Sequence, residues 1–315
     1  MTQFNIPGIK IGHATNEDAH TGCTVFLCPA GTVCSVDVRG PAPGSRETAV
    51  LGLDKRDIRV NAVVLTGGSA FGLASADGVM RYLGERGIGH YTPIRNVPIV
   101  PAAVVYDLFY HQGQHPPTAE MGYQACLNAR ENNPLQGNVG AGAGVTVGKW
   151  AGFSHEIMKG GFGLATATVD GITVSAGAVV NAVGDVVNRD GTVLAGARHK
   201  ESKEWLVEQM PYRYDSSFQL PPPGSNTTLV VVATNAKLTK PQANRLAQRA
   251  HDGMAIAIRP AHTEHDGDTA YALATGEVDA PMNLLGNLGI EVVAEAIRNS
   301  VRAAKTAGPV IGLAG

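Results

Sequence analysis

Runs made up mainly of apolar and β-branched residues recur along the chain and predict buried strands. The longest cover residues 61–66, 99–108, 160–169, 172–181 and 229–234. A run that is apolar at every position, rather than at alternate positions, is typical of a strand buried on both faces. Asp170-Gly171 joins two of these runs and favours a tight hairpin turn between them.

Shorter apolar runs near the N-terminus predict three more strands in a hairpin-like arrangement, over residues 9–12, 22–27 and 32–38. Apolar residues at helical spacing predict four helices. These cover residues 74–86, 118–131, 241–258 and 281–305. Because strands and helices come in blocks and the hairpins are antiparallel, the pattern favours a layered α/β fold over a doubly wound sheet.

Composition narrows the class of protein. A chain of 315 residues can bury a large core, and its net charge of −2 lacks the basic excess typical of nucleic-acid binding. The four cysteines have no paired CxxC spacing, which indicates free thiols rather than disulfides or a zinc site. Residues 1–18 show no signal pattern, and no apolar run has membrane-spanning length. We therefore expect a soluble, cytoplasmic protein without nucleic-acid or membrane partners.

One glycine-rich turn resembles two known motifs. Gly67-Gly68-Ser69-Ala70-Phe71-Gly72 follows a predicted strand and precedes a predicted helix. A P-loop needs Lys and Ser or Thr after the second glycine, where this chain has Leu73-Ala74. A nucleophile elbow, G-x-S-x-G, needs glycine where Phe71 stands. Each motif lacks one essential feature, and Ser69 with a distant histidine stays an alternative nucleophile.

The segment 259–269 is rich in potential ligands, namely His262, His265, Asp266 and Asp268. Their spacing matches neither HExxH nor an EF-hand loop, so no metal and no cofactor is predicted. Two carboxylates on one short turn are better interpreted as hydrogen-bond acceptors that orient another group.

The stretch Pro221-Pro222-Pro223-Gly224-Ser225-Asn226-Thr227-Thr228 ends an irregular linker, predicted over 194–224, and runs directly into the strand 229–234. Prolines keep the backbone extended, and the following residues deliver two threonines to the edge of a packed sheet. A surface loop entering a core strand is one interpretation. The other is that the Asn226–Thr227 bond is cut by the chain itself, which would make Thr227 an N-terminal residue.

Six segments together resemble one family, the self-processing N-terminal-nucleophile hydrolases around L-aminopeptidase D-Ala-esterase/amidase and the β-aminopeptidases (the S58 peptidases). They occur in the family's order over nearly the whole chain. A threonine at the nucleophile position, preceded by asparagine and followed downstream by Asp-Gly-Asp, is similar to the branch that hydrolyses nylon oligomers of 6-aminohexanoate. The segments are 35–40, 65–73, 147–150, 181–185, 226–228 and 266–269.

The resemblance implies a four-layer αββα sandwich formed by a single domain over residues 1–315. It also implies a cut into an α chain of residues 1–226 and a β chain of residues 227–315. Such pairs are expected to assemble into a homo-oligomer, a tetramer of αβ pairs.

The resemblance further implies roles for individual residues. Thr227 would be the nucleophile that also attacks Asn226 during self-cleavage, Asn181 the oxyanion donor, and Lys149 the positive charge that lowers the pKa of the new amine. Tyr106 would line the substrate cleft, and Asp266 and Asp268 would position the Thr227 hydroxyl and amine. The pKa of an N-terminal amine is about 7.7–8.0, so this amine can take the hydroxyl proton without a histidine.

The expected substrate is a small-molecule or oligomeric linear amide, such as a 6-aminohexanoate oligomer. An aminopeptidase acting on β- or D-amino acid amides, and an ornithine-type acyltransferase, are alternatives that use the same nucleophile. A non-catalytic binding module would instead leave the chain uncut.

Overall fold

A computed structural model of the chain describes residues 3–152, 155–209, 212 and 225–315, except for the side chains of residues 110 and 111. Fifteen strands lie within these ranges. They are β1 (Lys10–Asn16), β2 (Thr21–Leu27), β3 (Val33–Val38), β4 (Ser45–Arg46), β5 (Ala62–Thr66), β6 (Ala102–Val104), β7 (Thr146–Val147), β8 (Met158–Lys159), β9 (Phe162–Val169), β10 (Ile172–Asn181), β11 (Asp185–Val187), β12 (Val193–Ala195), β13 (Thr227–Ala236), β14 (Ile258–Arg259) and β15 (Thr269–Val278).

Five α-helices accompany them in the described part of the chain. They are α1 (Ser75–Glu85), α2 (Ala119–Leu127), α3 (Leu206–Gln209), α4 (Lys240–Ala257) and α5 (Met282–Arg302). Thr239 begins α4 with a capping box, in which its hydroxyl accepts from the Gln242 N–H and the Gln242 side chain accepts from the Thr239 N–H. None of the described helices is both long and apolar enough to cross a membrane.

Two five-stranded sheets form the centre of the molecule. The first has the strand order β1-β2-β5-β6-β4, and the second has the order β3-β15-β13-β10-β9. In the second sheet β13 is the middle strand, antiparallel to β10 and parallel to β15. The small sheets β12-β11-β14 and β7-β8 lie outside these two.

Three apolar cores separate four layers. Helices α1 and α2 pack on the outer face of the first sheet, around Val25, Val64 and Val79. The inner faces of the two sheets meet around Phe26, Leu65 and other apolar residues of both sheets. Helices α4 and α5 cover the outer face of the second sheet in the largest cluster. The order is helix, sheet, sheet, helix, and the predicted four-layer αββα sandwich is confirmed.

The hairpin predicted at Asp170-Gly171 is confirmed. Strands β9 and β10 pair in the register Ile172 to Val169, and both turn residues have positive φ, 50° for Asp170 and 80° for Gly171. These angles are those of a type I′ turn, whose twist matches that of the flanking strands.

Two strand predictions need correction. The strand predicted over 99–108 is confined to β6, because Pro101 has no N–H to donate and Asp107 turns away to accept from the Gly68 N–H at 2.6 Å. The third N-terminal strand, β3, does not pair with β2, whose two edges are taken by β1 and β5. It joins the second sheet beside β15. Part of the linker predicted over 194–224, including residues 213–224 with the proline run, lies outside the described residues.

Candidate active site

The register of the second sheet brings together residues from three distant segments. Thr227 is the first residue of β13 and lies opposite Asn181, the last residue of β10. On the other side of β13, Asn226 forms a parallel bridge with Asp266, just before β15 begins. Because β10 runs antiparallel to its neighbour and β15 parallel, the end of one strand and the starts of two others meet at the same edge of the sheet. The predicted nucleophile, Asn181 and the Asp-Gly-Asp turn therefore meet at one place.

Side-chain alternation along β13 sets the face on which Thr227 lies. Leu229, Val231 and Ala233 belong to the core between the two sheets, whereas Val230 and Val232 belong to the core beneath α4 and α5. Successive residues of a strand point to opposite faces, so Thr227 shares the inter-sheet face with Leu229. The site lies at one end of the space between the sheets.

The bond between Asn226 and Thr227 is buried, with 0% and 4% of the two residues exposed. The Thr227 hydroxyl donates a short hydrogen bond to the Asn226 carbonyl oxygen. The same oxygen accepts a second hydrogen bond from the backbone N–H of Gly267 at 2.9 Å. The nucleophile candidate thus lies against the carbonyl that it would attack, and that carbonyl is already polarised by a backbone donor.

The side chain of Asn181 forms four hydrogen bonds and holds the chain just before the bond in question. Its Oδ1 accepts from Lys149 Nζ at 2.9 Å and from the Thr146 N–H at 3.1 Å. Its Nδ2 donates to the carbonyls of Tyr106 at 2.9 Å and Ser225 at 3.2 Å. In the uncut chain the Asn181 amide therefore fixes the backbone at Ser225, one residue before the carbonyl that Gly267 contacts.

Lys149 is completely buried beside Asn181. Its Nζ donates to both the backbone carbonyl and the Oδ1 of Asn181, at 3.2 and 2.9 Å. Burial lowers the pKa of Lys149 to about 7, although the negative charge of Asp266 acts in the opposite direction. Lys149 is therefore close to the point of losing its proton at neutral pH.

Asp268 contacts the chain just after the nucleophile. Its Oδ1 accepts from the Thr228 N–H at 2.6 Å, and its Oδ2 lies 2.7 Å from His262 Nδ1. Burial opposes charging of His262, but the hydrogen bond and negative charge of Asp268 outweigh it, and the pKa of His262 is raised. His262, one of the possible metal ligands in the sequence, is instead the ion-pair partner of Asp268.

Asp266 stabilises the turn itself. Its Oδ2 accepts from the N–H and the hydroxyl of Thr263, at 2.8 and 2.6 Å. Burial and then the charge of Asp268 raise the pKa of Asp266 to about 6, as expected for two carboxylates one residue apart. The resemblance implies that Asp266 and Asp268 position the Thr227 hydroxyl and amine, which stays a prediction. In the uncut chain their carboxylates bond to Thr263, to His262 and to the backbone that follows Thr227.

Tyr106 reaches the site through its backbone, since its carbonyl is the acceptor for Asn181. Its half-buried ring packs edge-on against Phe109, with 5.5 Å between the ring centroids. That the ring lines a substrate cleft stays a prediction.

The alternative nucleophile, Ser69, lies elsewhere. It has a positive φ of 50° and donates its backbone N–H to the Val105 carbonyl. The ring hydrogen bonds found for His13, His155, His251 and His262 go to groups other than Ser69, so these bonds do not pair Ser69 with the base that a serine nucleophile needs. In the part of the chain that the structure describes, no three His, Cys, Asp or Glu side chains are grouped to hold a metal ion.

Sequence reasoning missed two features of this site. The Asp-Gly-Asp turn is notable in the sequence for its carboxylates, but it is the backbone N–H of its glycine that donates to the carbonyl of the bond in question. A second buried lysine, Lys159, donates to the carbonyls of Gly142, Val145 and Gly160 and so holds the glycine-rich loop ahead of Lys149. Burial lowers the pKa of Lys159 to about 7. Neither feature has a signature in the order of residues.

Comparison with known proteins identifies the family. The sequence profile of Peptidase family S58 matches residues 4–312. The chain belongs to this family. It is 43% identical over 294 residues to an uncharacterized aminopeptidase of Mycobacterium leprae, covering 88% of this chain and 79% of the relative. It is 33% identical over 285 residues to a 6-aminohexanoate-oligomer endohydrolase of Paenarthrobacter ureafaciens, covering 89% and 77%.

The fold of this S58 peptidase is shared with a solved structure, the L-aminopeptidase D-Ala-esterase/amidase from Ochrobactrum anthropi, described as a variant of the Ntn hydrolase fold. The two superimpose with a TM-score of 0.74 at 19% sequence identity, over 96% of this chain and 86% of the other. Family and fold together make the protein an amide hydrolase with the N-terminal-nucleophile fold.

Proposed function

We propose that this S58 peptidase cuts itself between Asn226 and Thr227 and then hydrolyses linear amides with Thr227 as its N-terminal nucleophile. The observation that carries the proposal is the position of the Thr227 hydroxyl, which is buried and hydrogen-bonded to the Asn226 carbonyl. The backbone is also held on both sides of this bond, by Asn181 at Ser225 and by Asp268 at Thr228. Restraint of this kind favours an intramolecular attack.

Self-cleavage needs only water in addition to the chain. The Thr227 oxygen attacks the Asn226 carbonyl carbon, and the hydroxyl proton passes to the Thr227 nitrogen as the carbon–nitrogen bond breaks. The product is an ester between Asn226 and the Thr227 side chain. Water hydrolyses this ester, which leaves a carboxylate on Asn226 and a free amine on Thr227.

Turnover repeats the same chemistry on a substrate. The new amine takes the hydroxyl proton, the Thr227 oxygen attacks the substrate carbonyl, and the leaving amine departs with a proton. The acyl group then lies on Thr227 until water releases it. Lys149 is linked to the strand end through Asn181 and keeps part of its charge at neutral pH, since its pKa is about 7. In its charged form it would favour the neutral form of the amine, which is the form that acts as a base.

The relatives point to two substrate classes. One relative is named as an endohydrolase of 6-aminohexanoate oligomers, and another is named only as an uncharacterized aminopeptidase. We favour linear amide oligomers because Asn226-Thr227 and the Asp266-Gly267-Asp268 turn resemble the nylon-oligomer branch. The higher identity to the aminopeptidase, 43% against 33%, supports an aminopeptidase activity as the second candidate, for which we expect β- or D-amino acid amides as substrates.

The test compares wild type with Thr227→Ala and Thr227→Ser on 6-aminohexanoate oligomers, β-alanyl amides and D-alanyl amides. We expect wild type to be cut and active, Thr227→Ser to be cut and slower, and Thr227→Ala to be uncut and inactive. Full amide hydrolysis by Thr227→Ala would overturn the proposal. Product transfer to an added amine, in place of release to water, would indicate an acyltransferase.

A further inference from the structure

The backbone N–H of Gly267 is the only group besides the Thr227 hydroxyl that donates to the Asn226 carbonyl among the hydrogen bonds of the described residues. We propose that this N–H is the oxyanion donor in two reactions, the self-cleavage of the chain and the hydrolysis of its amide substrate. The inference rests on the proposed function, since it concerns the same nucleophile. It adds a catalytic group that no side chain supplies.

The turn around Gly267 is fixed before any reaction takes place. The Asp266 side chain is bonded to Thr263, and the Asp268 side chain is bonded to Thr228 and His262. The backbone carbonyls of both aspartates accept hydrogen bonds from the 39–42 segment, at 3.0 to 3.3 Å. Donors held in place in this way stabilise a developing negative charge without reorganising. The two carboxylates thus act by holding the N–H between them.

Close contacts explain why this position carries glycine. A Cβ at residue 267 would lie 2.8 Å from the Thr227 hydroxyl oxygen and 2.7 Å from the Ala42 carbonyl oxygen. Both distances are shorter than a carbon atom tolerates, and the Ala42 oxygen is backbone that cannot turn aside. A side chain at 267 would therefore push the nucleophile or the turn out of place.

One donor can serve both reactions because both pass through the same kind of ester. In self-cleavage the acyl group on the Thr227 oxygen is that of Asn226, and in turnover it is that of the substrate. In both reactions the nucleophile is the Thr227 hydroxyl oxygen at the start of β13. The carbonyl group that it attacks is therefore expected to occupy the same position. When Asn226 leaves after the cut, its carbonyl no longer occupies the Gly267 N–H, which becomes free for the substrate carbonyl.

The experiment removes the donor without adding atoms that collide. Gly267 is replaced by glycolic acid through ribosomal incorporation of the hydroxy acid, which turns the N–H into an ester oxygen in the full-length chain. The matched control carries the same replacement at Gly308, an exposed turn glycine. Thermal unfolding of both proteins checks that the fold is kept, and Thr227→Ala is measured alongside.

We expect the Gly267 replacement to slow self-cleavage by about 10²–10³-fold, and to slow turnover per cut chain by a similar factor. If both self-cleavage and turnover stay within about threefold of the Gly308 control, the inference is wrong. If only one of the two reactions is slowed, Gly267 does not serve as the donor in both. If Thr227→Ala is uncut and inactive while the Gly267 replacement behaves normally, the inference fails and the proposed function stands. If Thr227→Ala is itself cut and active, the proposed function fails.

Discussion

At the scale of single residues, the site is built from hydrogen bonds to backbone. Asn181 holds Ser225, Gly267 contacts the Asn226 carbonyl, and Asp268 holds Thr228. Three consecutive peptide groups are thus fixed by two segments, the end of β10 and the Asp266-Gly267-Asp268 turn. Because the uncut chain has no free amine at Thr227, these contacts describe the state that precedes cleavage.

Asp268→Asn tests the contact that follows the nucleophile. An asparagine amide cannot match a carboxylate that accepts from both Thr228 and His262, so one of the two contacts is lost. A hydrogen bond to a charged group contributes about 1.5–3 kcal/mol, which corresponds to about 10- to 150-fold in rate. We expect both self-cleavage and turnover to slow by this amount, measured as time courses of precursor loss and amide hydrolysis.

The control for this substitution is Asp57→Asn, which changes an exposed carboxylate paired with Arg59. It should leave both rates unchanged. Self-cleavage of Asp268→Asn at the wild-type rate would show that Asp268 does not position the nucleophile in the uncut chain.

The buried amine of Lys149 makes stability depend on pH. Its pKa is about 7 in the folded chain, against about 10.4 in an unfolded chain. Between these values the unfolded chain binds a proton that the folded chain does not, so this residue makes the free energy of unfolding rise with pH. In the Thr227→Ala chain, which is expected to stay uncut, the Lys149→Met substitution should therefore raise the free energy of unfolding. The increase should be largest below pH 7.

Urea unfolding at pH 6 and pH 9 checks this expectation. The stability that Lys149→Met gains over its parent should be about 2.7 kcal/mol smaller at pH 9 than at pH 6. Lys159, whose pKa is also about 7, is present in both proteins, so its own burial acts equally in both. An equal effect of the substitution at both pH values would contradict a lowered pKa for Lys149.

At the scale of elements, the central strand β13 links the site to the two cores. Residues 229–233 of β13 alternate between the core under the helices and the core between the sheets, so this part of the strand is apolar at every position. Leu229 is completely buried and lies two residues after Thr227. Leu229→Ala should lower the free energy of unfolding by about 2–5 kcal/mol, because it leaves a cavity between the sheets.

Ile256→Ala is the matched control, since Ile256 lies on α4 with 44% of its surface exposed. Its effect should stay within about 0.5 kcal/mol. Equal losses in the two variants, measured by denaturant unfolding of the uncut Thr227→Ala chain, would argue against β13 as the buried centre of the fold.

How far the sequence predicts these elements depends on whether the cause is local. The hairpin β9–β10 and helices α4 and α5 follow from turn chemistry and periodicity, and their predicted bounds differ from the structure by a few residues at most. The shortening of β6 depends on Pro101 and Asp107. The sheet that β3 joins depends on the pairing of β2, because β1 and β5 occupy both edges of that strand. The contact of Gly267 with Asn226 depends on strand register, which no local pattern specifies.

At the scale of the whole molecule, the proposed cut separates two pieces that share one sheet. Strands β3, β9 and β10 come from residues 1–226, and β13 and β15 from residues 227–315. Strand β13 lies between β10 and β15, so the cores hold the pieces together after the bond is broken. The homo-oligomeric assembly of such pairs and the cytoplasmic location stay predictions.

Intact-mass spectrometry of freshly folded protein, followed over time, tests self-cleavage between Asn226 and Thr227 most directly. The full chain of 32.7 kDa should disappear. Scaled by length, its pieces of 226 and 89 residues should appear at about 23.5 and about 9.2 kDa, the smaller one beginning with a free threonine amine. Thr227→Ala should keep the full mass. A chain that stays intact yet hydrolyses amides, or one cut at a different bond, would contradict Thr227 as an N-terminal nucleophile.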